Sequence, residues 1–430
     1  MIDLRKLKIN EKGNLEIGGV DATELAKEYG TPAYIMDEEQ ILQNCRAFKS
    51  SIDKHYDGLA VYASKAFNCL EMCRIIKREG LGIDVVSGGE MYTALKAGIN
   101  AEVIVFHGNN KIYSELKQAV EIGIGRIVVD NLGELKTLEN IAKTLGKKAN
   151  IMLRLKPGID VHTHEYIKTG QIDSKFGFSI ETGEAFYAVK QAVQNENLNL
   201  VGVHCHIGSQ IFEITPFADA AEIMLNFMHK VQKELKYKLR DLNLGGGFGI
   251  RYTLDDDPPK YAEYMEQVYQ RIENVCKKLN LDVPYILIEP GRAIVGEAGV
   301  TIYTVGNVKN IPNYRTYVSV DGGMTDNPRY ALYSAKYTAL VANKMNEDAD
   351  FVATLAGRCC ESGDLLGEGM LMQQPEAGDI IAVFSTGAYN YSMASNYNKI
   401  PKAPVVFVNS GKSRLVVKGQ SYEDMCRLEI

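Results

Sequence analysis

The 430-residue chain contains no apolar run approaching the roughly 20 residues that a membrane-spanning helix requires. It also lacks any block of basic residues of the kind that follows a phosphate backbone. Neither a membrane nor a nucleic acid is therefore expected as a partner. Forty-eight Lys and Arg stand against 54 Asp and Glu, a net charge of −6, which gives no broad attraction to polyanions. Cysteine is sparse: the eight cysteines form no C-x-x-C pair, which argues against a disulfide framework and suits reduced thiols in a cytosolic enzyme. The opening "MIDLRKLKINEKGNL" scatters its charges and has no apolar block before a small-residue cleavage site, so a cytoplasmic location is expected. Repeats, low-complexity tracts and long linkers are absent as well.

What is present is an ordinary globular composition, 46% hydrophobic and 24% charged, in a chain too long for one compact domain of usual size. From residue 59, short β-rich runs alternate with amphipathic segments: "LAVYASK", "GIDVVSG", "EVIVFHG", "GRIVVDN", "NIMLRLKPG", "LVGVHCHIGS", "LRDLNLGGG" and "YILIEPGR". Intervening stretches such as "CLEMCRIIKREG" and "ELKTLENIAKTLG" close on glycine, as helices with a C-terminal glycine cap do. Eight such units predict an α/β fold of the TIM type, a (β/α)8 barrel. A further run, "AYIMD" at 33–37, exceeds the count and is read as a lead-in. After about residue 296, runs such as "VTIYTVGNV", "RTYVSVDGG", "DFVATLAGR" and "APVVFVN" predict an all-β domain. The first residues, with hairpin-like "KINEKGNLEIGG" and a short helix N-capped by Asp21, could complete it. The expected domains are a barrel over 32–296 and a β-sandwich or β-barrel domain from 1–31 and 297–430.

In such a barrel the active site lies at the C-terminal strand ends, so the residues closing each run carry the candidates. Lys65 closes the first. An isolated lysine there more often snorkels to the rim, whereas a desolvated one can serve as a Schiff-base amine. Gly245, Gly246 and Gly247 close the seventh and could leave backbone N–H groups open to a phosphate, or simply make a flexible turn. The eighth ends with Glu289, Gly291 and Arg292. The sixth ends "HCHIGS", with His204 and His206 on one strand face and Cys205 on the other. No further His or Cys stands at zinc-like spacing, and "HTH" at 162–164 offers no third ligand, so no metal is expected. An imidazole lying flat on a planar ligand is the better use of this motif. In the β region "TDNPRYALY", "AGRCCESGD" and "TGAYNYSMASNYN" are dense in polar groups without strand or helix periodicity. Singly each reads as a surface loop, and together they need a common explanation.

Taken in order, "YASKAFN", "HIGSQ", "GGGFG", "EPGR", "DNPRYALY", "CCESGD" and "GAYNYSMASNYN" resemble the diaminopimelate decarboxylase family, within the fold-type III pyridoxal phosphate enzymes. The resemblance covers nearly the whole chain. It implies pyridoxal 5'-phosphate as cofactor, a homodimer with shared active sites, and decarboxylation of the small amino acid meso-2,6-diaminoheptanedioate to L-lysine and CO2. It implies that Lys65 carries the cofactor covalently, that His206 stacks on its ring, and that Glu289 contacts the ring nitrogen. Ser209, the triplet Gly245, Gly246 and Gly247, the backbone at Gly291, and Tyr389 would hold the phosphate, with Arg292 also at the cofactor. Arg292, Arg329 and Tyr333 would take the distal carboxylate with Tyr389 beside them, Glu361 would bind the distal amino group, and Cys360 would be the proton donor, contributed by the partner subunit. A carboxylate rather than an arginine at the ring nitrogen favours decarboxylation over racemisation. Ile172 stands where the pattern suggests an acidic residue, and the Cys359–Cys360 doublet leaves two candidate thiols. A sister decarboxylase for carboxynorspermidine, arginine or ornithine is disfavoured by the two arginines with Glu361. A non-catalytic carrier of the cofactor is disfavoured by the joint presence of Lys65 and Cys360.

Overall fold

The computed structural model describes residues 7–159, 175–253 and 255–430, so His162, Thr163, His164 and Ile172 lie outside the described residues. The chain divides into two compact units: Asn44–Gly249 with Pro258–Gly291, and Met1–Gln43 with Ile250–Asp257 and Arg292–Ile430.

The first unit is a closed parallel barrel. Its strands are β1 (Gly58–Ala63), β2 (Gly82–Val85), β3 (Ile104–Phe106), β4 (Arg126–Val129), β5 (Ala149–Lys156), β6 (Leu198–His204), β7 (Asp241–Asn243) and β8 (Tyr285–Ile288). Each pairs in parallel with the next, and β8 pairs with β1, so the ring has no edge. All eight expected runs are barrel strands. Val61, Val105, Val128, Met152, Val201 and Leu287 meet in the interior, a packed core of branched and flexible side chains rather than a channel. Helix ends follow the glycine signals: Leu132–Leu145 stops at Gly146 in the left-handed region, its N–H returning to Ala142 O.

The N-terminal ends of the strands carry a buried ion pair. Arg126, the first residue of β4, donates from Nε to Asp241 Oδ2, the first residue of β7, at 2.7 Å. Asp241 is fully buried and also receives Arg240. This face braces the barrel and leaves the opposite face to chemistry.

The second unit is built on a nine-stranded sheet. Its spine runs Leu365–Met372, Phe351–Ala356, Arg315–Val320, Gly299–Ile311, Ala33–Asp37, Val405–Asn409 and Lys412–Val417, while Ile380–Val383 pairs with both Gly299–Ile311 and Ala339–Val341. The run read as a lead-in from outside the barrel groups with this unit. "AYIMD" is an interior strand of this sheet, antiparallel to Gly299–Ile311 and parallel to Val405–Asn409, because both its faces are apolar and need covering. Residues 250–257 also group with this unit. The N-terminal segment does complete it: Leu15, Ile17, Ala22 and Leu25 share a core with Val300, Ile302, Val406 and Val408. Asp21 caps the helix Ala22–Tyr29 through Thr23 N–H, as expected. Among the described residues no helix is long and apolar enough to cross a membrane.

Candidate active site

Every barrel strand delivers a polar side chain at or near its C-terminal end, from Lys65 after β1 to Glu289 after β8. Lys65 does not end the strand itself. β1 stops at Ala63, and Ser64–Ala66 turn as a 3₁₀ segment in which Ser64 and Ala66 are buried and Lys65 is exposed. The turn holds Lys65 at the mouth while its neighbours anchor the backbone. Gly291 packs against the same turn: a Cβ there would come within 2.9 Å of Ala63 Cβ, so the β8 loop approaches the lysine only because position 291 lacks one.

Glu289 is the electrostatic centre. It is buried, and its Oε1 accepts from His107 Nε2 at 2.7 Å and from Asn243 Nδ2 at 2.6 Å, while Oε2 receives His204 Nε2 at 3.2 Å. Burial alone would raise this carboxyl, but the two imidazoles hold it well below the ordinary carboxylate range. His204 goes the other way, burial lowering it to about 4. Burial also pushes down His107, but Glu289 and Asp84 outweigh it and raise the ring's affinity for a proton. Asp84 itself is pushed up to about 7, chiefly by burial. The ligand-capable atoms of His107, His204 and Glu289 lie within 4.8 Å of one another, and hydrogen bonding to the carboxylate accounts for that grouping.

His206 follows β6 and is held well below its ordinary value, first by burial and then by the Lys65 ammonium. Its loop packs on the glycine triplet: Gly246 N–H points at His206 Nδ1 at 3.4 Å, and Ile211 N–H reaches Gly247 O at 2.9 Å. A Cβ on Gly246 would stand 2.1 Å from Glu289 O. The triplet thus serves packing at least as much as openness, and Gly245 N–H is already taken by Asn243 Oδ1 at 2.9 Å. Ser209 sits half-buried in the same loop.

The chemistry of this donor set suits a pyridine ring. A carboxylate kept ionised can receive a protonated ring nitrogen, and an exposed amine stands on the same barrel rim. Pyridoxal phosphate fits the residues present.

The second unit gathers the arginines. Arg292 Nη1 donates to Tyr252 Oη at 2.5 Å, and Arg329 Nη1 donates to that oxygen at 3.1 Å and to Tyr337 Oη at 2.8 Å. Both guanidinium groups lie over the Tyr389 ring, at 4.8 and 5.5 Å from its centroid. Tyr389 holds a positive φ of 73°, a strained conformation for a side chain of that size. Tyr333, at the end of the short helix that Arg329 begins, is half-buried, and the hydrogen bonds of the arginines run to Tyr252 and Tyr337 instead.

Cys360 and Glu361 lie exposed on a turn clasped by buried Asp364, which accepts Cys359 N–H at 2.6 Å and Met324 N–H at 2.6 Å. Cys360 N–H reaches Asn398 Oδ1 at 2.8 Å, and Ser395 N–H reaches Thr325 O at 2.9 Å. The three polar loops of the β region are therefore one structure, which is their common explanation. Cys359 differs from its neighbour, its thiol pushed up to about 12 by burial and by Asp364.

Sequence reading missed His107, Asn243, Asp84, Tyr252 and Tyr337. His107 and Asn243 stand at strand ends in "VFHG" and "LNLGGG", where the same strand-end rule could have found them. Tyr252 and Tyr337 carried no comparable signal.

A family model described as the pyridoxal binding domain of pyridoxal-dependent decarboxylases matches residues 38–296. The chain is 49% identical over 422 residues to the diaminopimelate decarboxylase of Bacillus subtilis (strain 168), covering 98% of this chain and 96% of that one. It is 45% identical to that of Staphylococcus aureus (strain COL) over 424 residues, 97% of this chain and 98% of the other. Among solved structures, the diaminopimelate decarboxylase from M. jannaschii superposes with a TM-score of 0.93 at 34% identity, covering 100% and 99% of the two chains. The one from Helicobacter pylori complexed with L-lysine gives 0.87 at 35% identity, over 95% and 99%. With this agreement over the whole length, the chain belongs to the diaminopimelate decarboxylase family of pyridoxal-dependent decarboxylases.

Proposed function

We propose that the protein removes one carboxylate from meso-2,6-diaminoheptanedioate as CO2 and releases L-lysine, with pyridoxal phosphate as cofactor. When bound, the cofactor supplies the electron sink that accepts the pair left behind by CO2. Lys65 would hold it covalently through the ε-amine, His206 would lie against the ring, and Glu289 would receive the ring nitrogen. Ser209, Gly246, Gly247, the backbone at Gly291, and Tyr389 would take the phosphate, while Gly245, whose N–H is held by Asn243 Oδ1, would shape the loop.

The observation that carries the substrate assignment is the pair of buried guanidinium groups sharing the Tyr252 hydroxyl. Two cations brought together in a buried setting repel each other, and a carboxylate from the substrate relieves that repulsion with forked hydrogen bonds. A diacid brings that second carboxylate, whereas a substrate with a cationic tail would add a third positive charge. Arg292, Arg329 and Tyr333 are assigned to the distal carboxylate, Glu361 to the distal amino group, and the Cys360 thiol to delivery of a proton to the substrate α-carbon. The active unit is a homodimer in which Cys360 serves the partner's site. The thiol's exposure in a single chain is consistent with that role.

The test is CO2 release from meso-2,6-diaminoheptanedioate, ornithine, arginine and carboxynorspermidine under identical conditions. Release confined to the diaminodiacid is expected, and faster release from any of the others would overturn the substrate assignment. Borohydride reduction followed by peptide mapping should place the cofactor on Lys65; a label on another lysine would remove its assigned role.

A further inference from the structure

The two oxygens of Glu289 are not equivalent. Oε1 takes two short hydrogen bonds, from His107 Nε2 at 2.7 Å and from Asn243 Nδ2 at 2.6 Å. An ionised carboxylate oxygen offers about two lone-pair directions, so these donors fill it. Among the described residues Oε2 receives one longer bond, 3.2 Å from His204 Nε2, and keeps an acceptor direction. The terminal torsion of a glutamate is intrinsically broad, so these partners, rather than the side chain's own preference, decide which oxygen faces where.

The donors are themselves fixed. Asn243 is clamped at both ends of its amide, Nδ2 on Glu289 and Oδ1 on Gly245 N–H at 2.9 Å, which also settles which way the amide points. It therefore sets Glu289 and the glycine triplet in register with each other. His107 is anchored through its backbone N–H on Val85 O at 2.8 Å, and its ring meets that of His204 edge-on at 4.7 Å. The two donors to Oε1 come from β3 and β7, across the barrel mouth from each other.

Resting on the reading of Glu289 as partner of the cofactor's ring nitrogen, we propose that His107 and Asn243 are positioning residues that occupy Oε1 and so present Oε2 to that nitrogen. Neither touches the substrate. They act through Glu289, by holding one carboxylate geometry in which the acceptor left over is the one that the ring needs.

The holoenzyme carrying cofactor with a 15N-labelled ring reports on this directly, through the ring-nitrogen chemical shift and through the cofactor's dissociation constant after removal and re-titration. His107→Leu removes the donor, and is expected to move the shift toward the unprotonated ring and weaken cofactor binding about tenfold or more. His107→Gln retains an amide N–H and should recover affinity to within about threefold, a rescue that a purely space-filling role would not produce. Wild-type shift and affinity in His107→Leu would overturn the proposal. Should that variant fail to fold, Asn243→Ala removes the other donor and carries the same expectation and the same refutation. Glu289→Gln separates the two levels: if it leaves the ring shift unchanged, the reading of Glu289 fails, whereas a changed shift there with none in His107→Leu rejects only the positioning role.

Discussion

Arg292 Nη1 stands 2.5 Å from the hydroxyl of Tyr252, a short bond between a cation and a phenol that are both buried. Arg329 reaches the same oxygen at 3.1 Å, so one phenol holds two guanidinium groups side by side. A carboxylate that reaches this pair gains charge-assisted hydrogen bonds in a desolvated setting.

Arg329→Ala should therefore raise KM for meso-2,6-diaminoheptanedioate by about 10–100-fold, the worth of one charge-assisted hydrogen-bonded contact. A diamino analogue with a single carboxylate should lose far less. Steady-state kinetics on the two substrates check this, and equal losses on both would remove the arginine from the distal carboxylate. Arg329→Lys should recover little, since an ammonium cannot form the fork.

The two adjacent thiols should separate cleanly. Cys360 is exposed, whereas Cys359 is half-buried and pushed up to about 12. Cys360→Ala should lower kcat by about 10²-fold or more while the cofactor spectrum stays intact, because a positioned proton donor commonly contributes that much. Cys359→Ala should stay within about threefold of wild type. The reverse pattern would move the donor role to Cys359.

Asp326 links pH to stability in the β unit. Burial raises its carboxyl from 3.8 to about 7, although Tyr303 Oη and Gly323 N–H both donate to it. The folded state thus binds a proton that the unfolded chain releases, so this contribution is complete below about pH 4 and is lost as pH rises through about 7. Relative to Asp326→Asn, the wild-type urea midpoint should fall between pH 5 and pH 8. A difference that stays flat across that range would contradict the shift.

At the opposite barrel face, Arg126→Ala strips a buried partner from Asp241 and leaves it with Arg240. The expected loss is roughly 3 kcal/mol in denaturant unfolding. The kcat of the folded enzyme should not change, since the pair lies at the N-terminal strand ends. A fall in kcat at full folding would place this pair in communication with the site.

The sequence by itself determined the barrel. Strand ends are local signals set by backbone conformation, and all eight runs carried them, while glycines close the helices after β1 to β4. It also singled out Lys65, His206 and Glu289, because a barrel strand has one place to present a polar residue usefully. Tertiary structure decided the rest. "AYIMD" could be placed only once a sheet covered both its faces, since an apolar run states that it is buried but not against what. The glycine triplet looked open and proved closely packed, because contacts such as Gly246 against Glu289 O join residues 43 positions apart that no local pattern pairs. The asymmetry of Glu289 depends on His107, Asn243 and His204 arriving from three strands, and the shared phenol of Arg292 and Arg329 depends on Tyr252, 40 and 77 positions away. Hydrogen-bond partners of this kind are set by distance in space, and only the closed ring and the folded sheet bring them within 3 Å or so of one another.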